Sequence, residues 1–183
     1  MSKTRIQLAD AKRIAEMIIE ELKPFCERIE IAGSIRRGKP EVGDIELVAI
    51  PKPWIDMIGA PVPLASDHAL NYVAYEQRFG KIVKNGNKFK QIEIERIAHD
   101  SITLDLFIVT PPAQWGVIFL LRTGPDSYSH RFVTIRREGG TLPSNLIMKD
   151  GAIRQNGKII ETPEEQDVYR VAGLPYIEPG ART

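Results

Sequence analysis

GSIRRGKPEVGDIELVAI, running from Gly33 to Ile50, is the stretch whose reading decides the fold. It passes from a Gly-Ser turn through two adjacent arginines to a Gly-Asp-x-Glu step that opens an apolar strand. Asp44 and Glu46 stand two apart in that strand, so their side chains leave one face about 7 Å apart at Cα. Two anions so placed repel each other, and on a strand that otherwise reads as buried they are costly unless a cation sits between them. The Gly33-Ser34 pair ends another short strand, RIEIAGS. Its backbone N–H groups and serine hydroxyl make a turn able to cradle phosphate oxygens. Arg37, with Arg36 as a second candidate, offers a planar fork to the same phosphates.

Upstream, LADAKRIAEMIIEELKPF places Leu8, Ala11, Ile14, Ile18 and Leu22 at helical spacing until Pro24 stops the pattern. Downstream, Pro51-Lys52-Pro53 closes the strand, and a Pro-rich connection from Trp54 leads to a helix with Ala69, Tyr72, Val73 and Phe79 inward. After the Asn85-Gly86-Asn87 turn, FKQIEIERIA and SITLDLFIV read as β segments joined around His99-Asp100. Asp105 interrupts the second segment as Asp44 and Glu46 interrupt the first, with Leu104, Leu106 and Ile108 facing the other side. Three carboxylates on neighbouring strands suit a hard cation such as Mg²⁺. Taken alone they are equally explained by Asp44 capping a turn, Glu46 facing solvent and Asp105 lying on an edge strand. The phosphate cradle just before the pair favours the two-part device, one part holding a triphosphate and the other its ions.

A second lobe is expected after Pro111-Pro112, dividing the chain into residues 1–111 and 112–183. AQWGVIFLLR reads as a short apolar helix, TGPDS as a turn, and YSHRFVTIRREGG as a helix ending at Gly139-Gly140. LIMKDGAIRQNGKII carries Asp150-Gly151 and Asn156-Gly157, which predict a three-stranded meander. Thr162-Pro163-Glu164-Glu165 predicts a capping box, with proline at the first helical position. The fold class is α+β.

Composition excludes several alternatives. With 183 residues, 43% hydrophobic and 27% charged, the chain can bury a core unaided and has no apolar run long enough for a bilayer. MSKTRIQLADAK has neither a signal core nor a transit pattern, so a protein that stays in the compartment where it is made, the cytoplasm, with no membrane partner is expected. The single cysteine, Cys26, cannot form an internal disulfide and reads as packing at a helix end. His68, His99 and His130 lack ligand spacing, and Trp54 and Trp115 read as core or lobe anchors. A net charge of +1 does not advertise nucleic-acid binding, though it can hide a basic stripe. Arg131, Arg136 and Arg137 cluster near one helix end, either as a solvated face that complements the helix dipole or, for at least one of them, as a contact to nucleic-acid phosphate.

IEIAGSIRRGKPEVGDIELV, TLDLFIV, RTGPDSYSHRF and DVYRVAGLPYIEPGAR, in this order, resemble the family X (DNA polymerase beta-like) polymerases of the nucleotidyltransferase superfamily. The resemblance covers nearly the whole chain and is weakest between Trp54 and Gly80. It implies a nucleotidyltransferase palm with a mixed β-sheet, and a small C-terminal α/β thumb-like lobe that selects the nucleotide. By that resemblance Asp44 and Glu46 are shared by two Mg²⁺ ions, with Mn²⁺ as a substitute. Asp105 joins the catalytic ion and assists deprotonation of the primer 3′-hydroxyl. Ser34 and Arg37 hold the β- and γ-phosphates with the Gly33 turn and the Gly43 backbone, and Lys88 lies near DNA. Thr123-Gly124 passes under the sugar, and Asp126 and Ser129 face the nascent pair.

Departures from the family pattern are Glu46 for the usual Asp, Leu121-Arg122 for an aromatic pair, and Ser129 for Asn. A single helix before the Gly-Ser turn implies a minimal form without the N-terminal lyase domain. The expected activity is a DNA polymerase of gap-filling or repair type, acting on primer/template DNA and nucleoside triphosphates as a monomer. Competing classes are a nucleotidyltransferase on another acceptor (RNA, a template-independent end, a protein or a small molecule) and a non-catalytic nucleic-acid-binding module.

Overall fold

A computed structural model describes residues 5–53, 79–95 and 101–183. The expected helix around Ala69, Tyr72 and Val73, the His99-Asp100 turn, Trp54 and His68 lie outside the described residues. The chain divides into two compact units, Met1–Ile35 with Lys39–Thr110, and Arg36–Gly38 with Pro111–Thr183.

In the first unit, β1 (Ile6–Gln7) leads into α1 (Leu8–Leu22). No side chain caps α1; the Leu8 amide is taken by the Pro40 carbonyl at 3.0 Å, and Asp10 supplies an acid to the first turn. β1 pairs antiparallel with β3 (Glu41–Val42). The main sheet joins β2 (Cys26–Ile31), β4 (Asp44–Pro51), β5 (Lys81–Asn85), β6 (Phe89–Glu95) and β7 (Ser101–Ile108) in the order β2-β4-β7-β6-β5. Only the β4–β7 pairing among these is parallel, so the sheet is mixed. The β7 pattern is strictly alternating, and Ile102, Leu104, Leu106 and Ile108 enter the core. Ala11, Ala15, Ile18 and Leu22 of α1 complete that core with Ile45, Leu47 and Ala49 of β4. The apolar stripe of α1 thus buries one face of the sheet and commits the other face to whatever Asp44, Glu46, Thr103 and Asp105 do.

β5 departs from expectation, which has no strand between the helix with Phe79 inward and the Asn85-Gly86-Asn87 turn. It is an edge strand, mostly exposed, whose hairpin with β6 closes through Gly86 N–H donating to the Phe89 carbonyl at 2.9 Å. Cys26 is buried at the start of β2, just past the turn of Lys23–Phe25 that follows α1.

The second unit holds α3 (Trp115–Thr123), α4 (Asp126–Val133), α5 (Glu165–Ala172) and an antiparallel sheet of β8 (Ile147–Lys149), β9 (Ala152–Gln155) and β10 (Lys158–Ile160). The meander forms as its turn dipeptides predict: Asp150 (φ 53°) with Gly151 (φ 74°), and Asn156 (φ 50°) with Gly157 (φ 80°), are left-handed at both central positions. Val117, Leu120, Tyr128, Phe132, Ile153, Val168 and Tyr169 form the core. Gly116 is needed for contact, because a Cβ there would lie 2.1 Å from the Glu164 carbonyl oxygen. Several expected boundaries move: α3 starts at Trp115 rather than Ala113, and α4 starts at Asp126, inside the stretch read as a turn. α4 ends at Val133, where the β-branched Thr134 turns its hydroxyl back to the His130 carbonyl, and a separate short turn at Arg136–Glu138 reaches the left-handed Gly139. α5 starts at Glu165, not at Pro163, and its box pairs Glu164 with Asp167, which accepts the Glu164 amide at 2.8 Å, in place of the expected Thr162 and Glu165. Among the described residues no helix is long and apolar enough to cross a membrane.

Candidate active site

The polar face of the main sheet gathers the acids of the first unit. Parallel pairing sets Glu46 of β4 directly beside Asp105 of β7, and Asp44 beside Thr103. Adjacent strands lie about 4.8 Å apart, so register alone makes Glu46 and Asp105 neighbours, with Asp44 one pleat along. All three are partly buried. Across β7, Gln91 of β6 pairs with Asp105 and donates Nε2–H to Oδ1 at 2.8 Å. Further along the same face Phe89 stacks on Phe107 with centroids 5.0 Å apart.

Gly33 begins α2 (Gly33–Arg36) at φ 60°, and an added Cβ would lie 1.7 Å from Glu46 Oε2. Glycine is therefore required twice, for the left-handed backbone and for the carboxylate lying against its Cα. The Ser34 hydroxyl oxygen next to it is buried with no hydrogen-bond partner among the described residues. Gly43 is partly buried just before β4, and Lys88 is exposed in the β5–β6 turn.

The donors fit a hard divalent cation in kind, being carboxylate oxygens on facing strand positions beside an unmatched hydroxyl. Among the described residues no three His, Cys, Asp or Glu side chains are gathered into a ready-made metal-binding group. Glu46 lies against Gly33, and Asp105 accepts from Gln91.

The second unit builds a different cluster around the Thr-Gly turn. Thr123 is buried at the end of α3; its hydroxyl accepts from Arg36 Nη1 at 2.7 Å, and its carbonyl accepts from Arg37 Nη1 at 2.5 Å. Arg36 also grips Glu165 with both terminal nitrogens, at 3.0 and 2.9 Å, and lies 3.9 Å from the Phe119 ring centroid. From the far end of the sequence Arg182 donates to Glu165 Oε1 at 2.6 Å, and Tyr176 donates to Oε2 at 3.1 Å. Burial pushes the Glu165 carboxyl up, but the bonds and charges of Arg182 and Arg36 outweigh it and hold the group below its ordinary range. Arg182 is itself buried, surrounded by the rings of Tyr128, Tyr169 and Tyr176.

Other expected site residues of this unit are already engaged or on the surface. Gly124 follows Thr123, and the Ser129 hydroxyl donates to the Leu121 carbonyl at 2.7 Å. Asp126 is exposed at the first position of α4, and Arg131 is exposed on that helix. Arg136 donates Nε–H to the Thr141 carbonyl at 3.0 Å and bonds the Ala172 carbonyl, so it braces the end of α5. Sequence inspection missed Gln91, Glu165 and Arg182. Gln91 could have been found from the alternation Phe89, Gln91, Glu93 on the non-core face of β6, whereas Glu165 and Arg182 carry no local signal.

The class these features define is an α+β protein with an acidic sheet face, comparable in kind to a nucleotidyltransferase. No protein-family model matches the chain. It is 25% identical over 200 aligned residues to DNA polymerase lambda of Rattus norvegicus, covering 97% of this chain. The match covers 33% of the rat protein, so the chain spans about a third of that relative's length. This similarity supports a polymerase-like relationship at a coarse level.

Proposed function

We propose that the protein is a metal-dependent nucleotidyltransferase that adds deoxynucleoside monophosphates to the 3′-hydroxyl of a DNA primer, as a gap-filling or repair polymerase. The observation that carries this is the parallel register of β4 and β7, which sets Glu46 against Asp105 with Asp44 on the same face. Asp44, Glu46 and Asp105 would hold Mg²⁺, or Mn²⁺ in its place. Such ions neutralise charge on the triphosphate and lower the pKa of a bound hydroxyl. Asp105 would draw the proton from the primer 3′-hydroxyl. The 3′-oxygen then bonds to the α-phosphorus as the bond from that phosphorus to the bridging oxygen breaks, and pyrophosphate departs. Positioning and charge neutralisation supply most of the rate, because phosphoryl transfer asks little covalent chemistry of the protein.

Ser34 and Arg37 suit phosphate oxygens for a shared reason: the Ser34 hydroxyl and the Arg37 Nε are buried atoms without partners among the described residues. Gly33 and Gly43 would leave backbone amides open to phosphate oxygens. Thr123-Gly124 would support the sugar, and Asp126 and Ser129 the nascent pair, Ser129 by exchanging its bond to Leu121. Lys88 and Arg131, both exposed, and Arg136 would meet DNA phosphates.

The test is primer extension with Mg²⁺ or Mn²⁺, with and without template, on the parent and on Asp105→Ala. The parent should add templated nucleotides; Asp105→Ala should add none while keeping its denaturation midpoint. Extension by Asp105→Ala at the parental rate would refute the role of this carboxylate, and addition indifferent to template would move the acceptor away from primer/template DNA.

A further inference from the structure

We infer that Gln91 is a positioning residue for Asp105, setting the rotation of its carboxylate so that the acid is presented to a cation in one orientation. The inference rests on the proposal that Asp105 holds a metal. Gln91 and Asp105 are direct partners in the antiparallel β6–β7 ladder, and the Nε2–H to Oδ1 bond is 2.8 Å long. Both side chains are partly buried on the polar face, beside Glu46 on β4. An aspartate side chain has two rotatable bonds, and a cross-strand bond from a residue fixed in mid-sheet removes most of the freedom of the second.

The chemical nature of the donor matters as much as its place. An amide donates a hydrogen bond with no net charge, so it orients Asp105 without cancelling the anion that would attract the cation. A lysine or arginine at the same point would pair with the carboxylate and compete with the metal. Outer-shell donors of this type are commonly worth about 10–100-fold in metal affinity or activity.

The experiment measures Mn²⁺ binding to the protein alone by electron paramagnetic resonance of the free ion, beside single-nucleotide insertion kinetics. Variants are Gln91→Met and Gln91→Leu, which remove the donor, Gln91→His, whose ring N–H can restore it, and Asp105→Ala. Denaturation midpoints identify the donor-less variant that keeps the parental fold, and that variant is the one compared. It should bind Mn²⁺ about tenfold more weakly or worse and lose kcat in proportion, with little change in KM for the nucleotide. Gln91→His should recover most of both losses. Parental Mn²⁺ affinity in the donor-less variant, with binding lost in Asp105→Ala, overturns the role of Gln91 alone. Parental affinity in Asp105→Ala as well overturns the functional proposal beneath it.

Discussion

Replacing Glu165 by glutamine should cost the protein about 3–5 kcal/mol, the usual effect of breaking a buried ion pair from one side. Glu165 and Arg182 have side-chain exposures of 3% and 0%, so neither charge can turn to solvent. The carboxylate accepts from Arg182 at 2.6 Å, from Arg36 at 3.0 and 2.9 Å, and from Tyr176 at 3.1 Å. Glutamine preserves the volume but turns an NH₂ toward donors and leaves two guanidinium ions without their shared anion. Each lost attraction is about 4 kcal/mol at 4 Å for an effective dielectric of 20, part of which relaxation recovers. Acid should erase the difference. The folded carboxyl lies below the ordinary glutamate value of 4.5, so the unfolded chain takes up its proton first. The stabilisation is therefore complete above that pH and drains away as pH falls through the lower folded value. Urea denaturation of parent and Glu165→Gln at neutral pH and in steps below pH 4.5 reads both effects. A gap under about 1 kcal/mol at neutral pH, as for an exposed pair, or one that fails to narrow in acid, would refute the reasoning. In a cycle with Arg182→Met the double variant should lose less than the sum of the singles.

Gly33→Ala should destabilise the protein by about 1–2 kcal/mol through the left-handed backbone. Because the added Cβ collides with the Glu46 carboxylate, under the proposed function nucleotide insertion should fall by more than stability explains, and an unchanged denaturation midpoint would contradict the assigned φ of 60°. Burial pushes the Cys26 thiol up to about 12, with the Lys52 charge acting against it. Iodoacetamide at pH about 8 should therefore leave the native protein unlabelled by mass spectrometry and label it fully in urea; rapid native labelling would show that the start of β2 opens.

Legibility in the sequence followed how local each determinant is. The strict alternation of SITLDLFI shows which face Asp105 takes, and the Asp-Gly and Asn-Gly pairs mark both meander turns. KIVKN could not be read as a strand, because β5 is an edge with almost no inward face and so carries no period-two signal. The end of α4 was misplaced because Gly139 is a valid stop signal for the short turn at Arg136–Glu138, not for the helix before it. For the candidate site, spacing alone shows that Asp44 and Glu46 share a face. The adjacency of Glu46 and Asp105 needs the register of two parallel strands joined by a long crossover, which no local pattern specifies.

The Arg36-Arg37 pair illustrates the limit most directly, since two identical neighbours have different chemistry. Arg36 spends its terminal nitrogens on Thr123 and Glu165 and lays its plane on Phe119, so its planar fork is committed to packing α3 against α5. Arg37 bonds the Thr123 carbonyl with one nitrogen, while its Nε is buried with no acceptor among the described residues. A buried donor left unmet costs about 1–3 kcal/mol, so an acceptor that reaches it is bound the more favourably. The Ser34 hydroxyl carries the same deficit in the first unit. The motif thus divides into Arg36, whose two terminal nitrogens are both engaged, and two residues that each hold a buried polar atom without a partner among the described residues, Ser34 and Arg37. Under the proposed function, Ser34 and Arg37 are each suited to a phosphate oxygen, whereas Arg36 is not. An Arg36→Lys change should accordingly act through the integrity of the second unit, because an ammonium cannot span both Glu165 oxygens and stack on a ring at once.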